Sequence, residues 1–530
     1  MTILKIIQKE VITNYLNILV KTIQENWNQP ALTDFYLTED STAQDTSRGN
    51  HYTYGEMYNE IVRVADYLER LGLQKGDHIA ICGANSAHWV IAYLAIAKIQ
   101  GVSVTILHSL MPEQIAELVR FSEAKVLLTD EDIWAELQDQ SMPQVHSVVS
   151  LADWKQLRSA GHQLITTPRV IDLCDVSFPQ YTKDTLAMIC FTSGTEGTPK
   201  GVMLSYGNMY PSIIFNIEVF SRFRNKPFLS IVPYAHLLGI VAEILQPLVI
   251  GIHVFVLRAF TFSTLLRVYQ IVKPVFIVSV PTILHHIISM AQKIESNRNM
   301  IKQRVIELYG GDVEIIGIGG AILDKDDEQL IFELELPLIY GYGATECGPR
   351  ISIFREFNFS KKGSSGLPLP NTQISIAPNG EILVKGENVM LGYYKNPEAT
   401  AQKIDADGWL HTGDRGHLDE DGYLYVEGRL EQDMIVLPNG ENIHPDNIER
   451  KINALPEVAE SIVIAREGKL VAIVVVSGEL SADSRKALRL SILRSVNPQL
   501  PSYSQLYDVE CINEPLARTA KQTLKRYLYK

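Results

Sequence analysis

Between Phe191 and Gly201 the chain reads Phe-Thr-Ser-Gly-Thr-Glu-Gly-Thr-Pro-Lys-Gly, a concentration of hydroxyls, glycines and one lysine directly after the apolar run LAMIC. A loop of this kind at a strand end can cradle phosphates. Hydroxyls such as those of Thr192, Ser193 and Thr195 and free backbone N–H groups donate to phosphate oxygens, Gly194 and Gly197 permit close approach, and Lys200 adds positive charge. The run Pro199-Lys200-Gly201 departs from the Gly-Lys-Ser/Thr of a P-loop, and taken alone the composition also suits an ordinary turn.

Further segments follow in order: Pro233-Tyr-Ala-His-Leu-Leu-Gly239, Ile318-Gly-Gly-Ala321, Gly341-Tyr-Gly-Ala-Thr-Glu346, Gly386-Glu-Asn-Val-Met-Leu-Gly-Tyr-Tyr-Lys-Asn-Pro-Glu-Ala-Thr400, Asp407-Gly-Trp-Leu-His-Thr-Gly-Asp414, Gly428-Arg429 and Asn439-Gly-Glu-Asn-Ile-His-Pro445. With the loop, they resemble the signature segments of the adenylate-forming superfamily, which contains acyl-CoA synthetases, firefly luciferase and the adenylation domains of nonribosomal peptide synthetases. The resemblance runs from about residue 52 to the end, with Glu196 where a threonine is common.

It implies roles for most of these segments. The loop from Thr192 through Ser193, Gly194, Thr195, Glu196 and Gly197 to Lys200 would hold phosphates. His236 would sit between the acid and the route of the thiol arm. Gly319, Gly320 and Ala321 would border adenine, Tyr342 beside Gly343 would stack on it, Thr345 would contact the α-phosphate and Glu346 would hold Mg²⁺. Asp414 would accept the ribose hydroxyls, Arg429 would contact ribose or phosphate with a hinge just after it at Glu431, and the loop containing Gly440 would line the thiol channel. Without this context His236 reads as a core histidine, and Glu346 and Asp414 as solvated charges. His108, His253, His285 and His286 have no such support and read as structural.

The implied reaction needs no general base, because a carboxylate is already a nucleophile toward the α-phosphorus of ATP. The barrier lies in bringing two anions together, so positive charge from Lys200, Mg²⁺ and a further cation is the requirement. The terminal pattern departs here: Arg518-Thr-Ala-Lys-Gln-Thr-Leu-Lys-Arg526 places Thr523 where the family carries a lysine, and Lys521 is the favoured substitute over Lys525. The expected activity is that of a fatty acyl-CoA synthetase using ATP, Mg²⁺ and coenzyme A, with a carrier-protein phosphopantetheine as alternative acceptor and a noncatalytic nucleotide- or acyl-binding relative as the reading from another class. The apolar run of residues 232–250 favours a hydrophobic acid over an amino acid.

The elements that must position these residues follow from pattern. Continuous apolar strands at 78–82, 102–106, 125–129, 275–280 and 313–318, separated by helical spacing, indicate buried, largely parallel sheets. Short strands with Gly/Asn/Asp turns from about 365 to 426 indicate an antiparallel subdomain, and helices around the hairpin SIVIAREGKLVAIVVV a small α+β domain. The expected architecture is α/β: a large domain of stacked sheets over 1–428 and a mobile small domain over 429–530.

A chain of 530 residues, 46% hydrophobic, exceeds one core. A net charge of −13 without a basic patch excludes a nucleic-acid footprint. Five dispersed cysteines argue against zinc or a disulfide framework and fit a reducing cytoplasm. The interruptions Pro233, His236, Glu243 and Pro247 make residues 228–257 a buried helix and strand, and no transmembrane span is expected. The first residues read as an amphipathic helix packed on its own domain, with peripheral membrane or partner contact as the alternative.

Overall fold

A computed structural model describes residues 14–35, 49–158, 171–192, 200–215, 217–319, 325–355, 358–430, 435–436, 442–443, 445–466, 468–476, 478, 480–500, 504–518, 524 and 526–529. By their internal contacts the residues divide into a larger unit (Met1–Thr192, Lys200–Thr412, Gly416–Val426) and a smaller one (Ser193–Pro199, Gly413–Arg415, Glu427–Lys530).

Two large sheets form the larger unit. An eight-stranded sheet runs in the order Gly392–Tyr393, Lys200–Ser205, Leu186–Thr192, Val102–Thr105, His78–Cys82, Val126–Thr129, Ser147–Ser150, Gln156–Arg158. Its centre is parallel, with His78–Cys82 pairing on both sides with strands whose residues are all buried. This is why those strands read as unbroken apolar runs. The crossover helix Ala87–Lys98 begins where Ser86 accepts from the N–H of Trp89, and every residue from Ala87 to Ala97 is buried.

The nine-stranded sheet is ordered Leu367–Pro368, Ser352–Ile353, Leu338–Tyr342, Ile315–Ile318, Phe276–Ser279, Pro227–Ser230, His253–Leu257, Pro30–Phe35, His51–Thr53. Its interior pairs are likewise parallel. Between Pro227–Ser230 and His253–Leu257 the chain forms a widened π-helical stretch, Gly239–Leu245, that passes into the α-helix Gln246–Ile250 and stops at Gly251 with φ 94°. Pro247 accounts for the widening, because its ring would collide with the carbonyl four residues earlier in a regular helix. All residues of both helices are buried, as expected of a soluble core segment. Among the described residues no helix is long and apolar enough to cross a membrane.

The antiparallel sheet of the subdomain is formed by Thr372–Ile376, Glu381–Gly386, Leu410–Leu418 and Leu424–Arg429. Near the start of the chain, the helix Tyr15–Glu25 buries Tyr15, Leu16, Ile18, Leu19 and Ile23, so this part packs on its own domain; residues 1–13 lie outside the described set.

In the smaller unit the hairpin Val458–Arg466 and Lys469–Val476 pairs in parallel with Asp508–Ile512. The helices Pro445–Asn453 and Ala482–Val496 supply Ile448, Ile452, Leu488 and Ile492 to its core. Gly468, at φ 74°, supplies the left-handed residue of the two-residue hairpin connection.

Candidate active site

The phosphate-type loop starts and ends on paired residues. Thr192 closes strand Leu186–Thr192, Lys200 opens strand Lys200–Ser205, and the two face each other across the antiparallel ladder, the Thr192 hydroxyl donating to the Lys200 carbonyl at 3.5 Å. The intervening Ser193, Gly194, Thr195, Glu196 and Gly197 lie outside the described residues. Sheet pairing therefore brings both ends of the loop together at the edge of the buried parallel centre.

Beyond Lys200 the same sheet adds the short strand Gly392–Tyr393, pairing Tyr393 with Val202. The Lys200 ammonium lies 5.4 Å from the centre of the Tyr393 ring, within cation–π range. The Tyr393 hydroxyl donates to Glu346 Oε1 at 2.9 Å. Tyr393 is 5% exposed, and its N–H donates to the Thr400 hydroxyl at 2.9 Å. At Gly392, with φ 137°, an added Cβ would stand 2.8 Å from the Thr400 side chain, so glycine lets the turn close. Tyr393 falls inside a quoted motif, but the motif gave it no role.

Glu346 is held from both ends of its turn. It lies in the single 3₁₀ turn Thr345–Cys347, and its carbonyl accepts from the Met390 N–H at 2.9 Å. Upstream, Tyr342 ends strand Leu338–Tyr342 and pairs with Ser352. A Cβ at Gly343 would lie 1.8 Å from the Pro349 carbonyl oxygen, so only glycine fits. Arg350 donates to Gln246 Oε1 at 3.1 Å and to the Ser212 carbonyl; burial lowers its pKa to about 10, which still leaves it charged at neutral pH.

His236 is half-buried, its N–H bonded to the Pro233 carbonyl at 2.9 Å. Gly319, just past strand Ile315–Ile318, approaches the side chain of Leu238, with 3.4 Å between Leu238 and a built Cβ. The segments read as acid-side and adenine-side thus meet. Asp414 lies within strand Leu410–Leu418, is 8% exposed and groups with the smaller unit. Arg429 ends strand Leu424–Arg429. Gly320, Ala321, Glu431, Gly440, Lys521, Thr523 and Lys525 lie outside the described residues; Arg518 and Leu524, flanking Lys521, form an antiparallel bridge.

Among the described residues no group of three or more His, Cys, Asp or Glu could hold a metal. A single carboxylate such as Glu346 suits Mg²⁺, which keeps waters and phosphate oxygens as its other ligands. The histidines read as structural have local partners: His253 and His51 flank the Thr33 hydroxyl at 2.8 and 2.7 Å, and His285 pairs with Asp327 at 2.8 Å. Burial lowers the pKa of His253 to about 4.

The family described as AMP-binding enzyme matches residues 23–394, and the AMP-binding enzyme C-terminal domain matches residues 432–529. A 2-succinylbenzoate–CoA ligase of Oceanobacillus iheyensis is 29% identical over 503 residues, 93% of this chain and 96% of its own length. One of Bacillus cereus is 26% identical over 506 residues, with 93% and 95% covered. The solved O-succinylbenzoate coenzyme A synthetase of Bacillus subtilis in complex with ATP and magnesium ion aligns with a TM-score of 0.75 at 26% identity over 96% of this chain and 98% of that one. ATP-bound MatB from Rhodopseudomonas palustris shares the fold at 22% identity and TM-score 0.75, with 97% and 98% covered.

Proposed function

Because the chain belongs to the AMP-binding enzymes of the adenylate-forming superfamily, whose two parts match residues 23–394 and 432–529, we propose that it is an acid–coenzyme A ligase. It activates a carboxylic acid with ATP as the acyl-adenylate, releasing pyrophosphate, and passes the acyl group to coenzyme A, releasing AMP. The observation that carries this reading is the arrangement of Lys200, Tyr393 and Glu346 at the closed base of the Thr/Ser/Gly loop.

In the first step a carboxylate oxygen forms a bond to the α-phosphorus while the bond to the pyrophosphate oxygen breaks. Lys200 and the loop N–H groups bind the phosphates. The Tyr393 hydroxyl fixes the rotamer of Glu346 by one charge-assisted hydrogen bond, and its ring face keeps the Lys200 ammonium nearby. Mg²⁺ bound at Glu346 would neutralise charge on the phosphates and on the departing pyrophosphate. His236 stands on the acid side. Asp414 and Arg429 are assigned to ribose and phosphate, the loop of Gly440 to the thiol route and Lys521 to the second cation. The domain boundary is taken at 428/429.

For the acid we propose 2-succinylbenzoate or a close aromatic relative. The support is the activity of the relatives, 25 to 29% identical over 93% of this chain. The fatty acid expected from the sequence has no counterpart among these relatives, and the apolar run of residues 232–250, which favoured a hydrophobic acid, does not select one, because residues 239–250 are buried in the core. Their apolarity reports packing. A panel of 2-succinylbenzoate, benzoate, short and long fatty acids and amino acids, each with ATP and either coenzyme A or holo carrier protein, tests the reading by mass spectrometry of the thioester. 2-Succinylbenzoyl-CoA is the expected dominant product. Preference for a fatty acid or for the carrier protein overturns that part.

A further inference from the structure

Residues 231–235 lead from strand Pro227–Ser230 to His236, and side chains take up much of their backbone hydrogen bonding. The N–H groups of Ile231 and Val232 donate to Glu243 Oε2 at 2.9 and 2.8 Å, and the Ser230 hydroxyl donates to the same oxygen at 2.8 Å. From the other large sheet, Asn85 Nδ2 donates to the Val232 carbonyl at 2.9 Å, and Asn85 Oδ1 accepts from the Tyr234 N–H at 3.0 Å. The Ala235 carbonyl accepts from the Thr105 hydroxyl at 3.5 Å and the Cys190 thiol at 3.4 Å. An apolar core would leave these groups unsatisfied at about 1–3 kcal/mol each.

The anchors are themselves anchored. Asn85 lies in the turn before helix Ala87–Lys98. In that turn the Ala84 N–H donates to Asp130 at 2.9 Å and the Ala87 N–H to Asp34 at 2.6 Å. Asp130 in turn pairs with Arg258 at 2.8 Å. Trp89 of the helix packs edge-on against Tyr234, ring centres 5.4 Å apart. Glu243 is fully buried. Three donors converge on its Oε2, while among the described residues its buried Oε1 has no hydrogen-bond partner, so the carboxyl acts as an acceptor through one oxygen. The cluster fixes the backbone leading to His236.

We propose that Asn85 and Glu243 are positioning residues for the carboxylic acid, holding residues 231–236 as a pre-set surface against which the acid lies during adenylation. The inference rests on the reading of the His236 segment as the acid side of the site. Pre-setting lowers the ordering cost of substrate binding and keeps the carboxylate oxygen in line with the α-phosphorus. A purely structural role predicts a lower melting temperature with unchanged kinetic constants. The positioning role predicts a separation between the two substrates.

The test uses full-length Asn85→Ala, Glu243→Leu and Glu243→Gln, each assayed for acid-dependent pyrophosphate release with acid and ATP varied separately, alongside thermal melts. Asn85→Ala and Glu243→Leu should raise the KM for the acid and lower kcat, together costing about tenfold or more in kcat/KM for the acid, with KM for ATP within about twofold of the parent. Glu243→Gln should restore near-parent constants, since its amide oxygen accepts the same three bonds. Should Glu243→Leu fail to fold, Asn85→Ala alone decides. Parent-like acid constants in Asn85→Ala, or equal losses toward acid and ATP, overturn the proposal while the ligase reading stands. A parent that releases no pyrophosphate with any acid overturns both.

Discussion

The segment before His236 and the closing stretch of the smaller unit are both held by buried or half-buried carboxylates, and they are held differently. In the first, Glu243 gathers two backbone N–H groups and a hydroxyl, with no cation among its hydrogen-bond donors. In the second, Arg526 donates to both oxygens of Glu449, and Arg518 pairs with Glu460, which also accepts from the Leu516 N–H at 2.7 Å. Hydrogen bonds to one carboxyl fix residues 230–232, with the Asp130–Arg258 ion pair set back behind the Asn85 turn, whereas ion pairs directly fix the flanks of the stretch that contains Lys521. Ion pairs are sensitive to ionic strength and the loss of one partner, whereas a neutral carboxyl responds to pH.

The largest effect should come from breaking the better-buried ion pair. Arg526 and Glu449 side chains are 13% and 8% exposed, so Arg526→Ala leaves Glu449 without its cation and should destabilise the smaller unit by about 3–5 kcal/mol. Denaturant melts of the full chain read this as an early transition. Coincident melts of variant and parent would dissolve the contrast between the two regions.

Next comes the phosphate site. Glu346→Ala and Lys200→Ala should each lower adenylation roughly a hundredfold, about 2.7 kcal/mol, without loss of fold. Tyr393→Phe keeps the ring under Lys200 and removes only the hydroxyl, so roughly a tenfold loss in kcat/KM for ATP is expected. A parent-like Tyr393→Phe would show that the hydroxyl does not orient Glu346.

The strands were legible because burial on both faces writes itself as continuous apolar runs; His78–Cys82 and Val126–Thr129 are of this kind. The Thr/Ser/Gly loop stands out in the sequence because its hydroxyls, glycines and lysine are contiguous. Tyr393 was not, since its partner Glu346 lies 47 residues away and only the sheet edge unites them. Glu243 was visible as an interruption of an apolar run. Its task was hidden because the donors precede it by 11 to 13 residues, and Asn85 reaches Val232 across 147. The expected fatty acid finds no support among the relatives, and one apolar pattern serves a substrate pocket and a core helix alike, with residues 239–245 buried here.

The last effect concerns pH. Burial raises the Glu243 carboxyl from about 4.5 to about 8, so the folded state binds a proton that the unfolded state has released between those values. Its contribution to stability is therefore complete below about 4.5, falls as pH rises toward 8 and is flat above. Nearby Tyr234 and Tyr269 are raised by burial and stay neutral throughout that window. Glu243→Gln lacks the titration, so its stability relative to the parent should climb from pH 5 to 8. A constant difference would mean that the carboxyl titrates normally.

Under the proposed function the larger unit carries an acid-dependent adenylation site built on Lys200, Tyr393 and Glu346, and exchange of labelled pyrophosphate into ATP without coenzyme A measures that step alone. Exchange should require the carboxylic acid and Mg²⁺ and be nearly abolished by Glu346→Ala in a folded protein. Exchange without any acid, or undiminished exchange in Glu346→Ala, would contradict it.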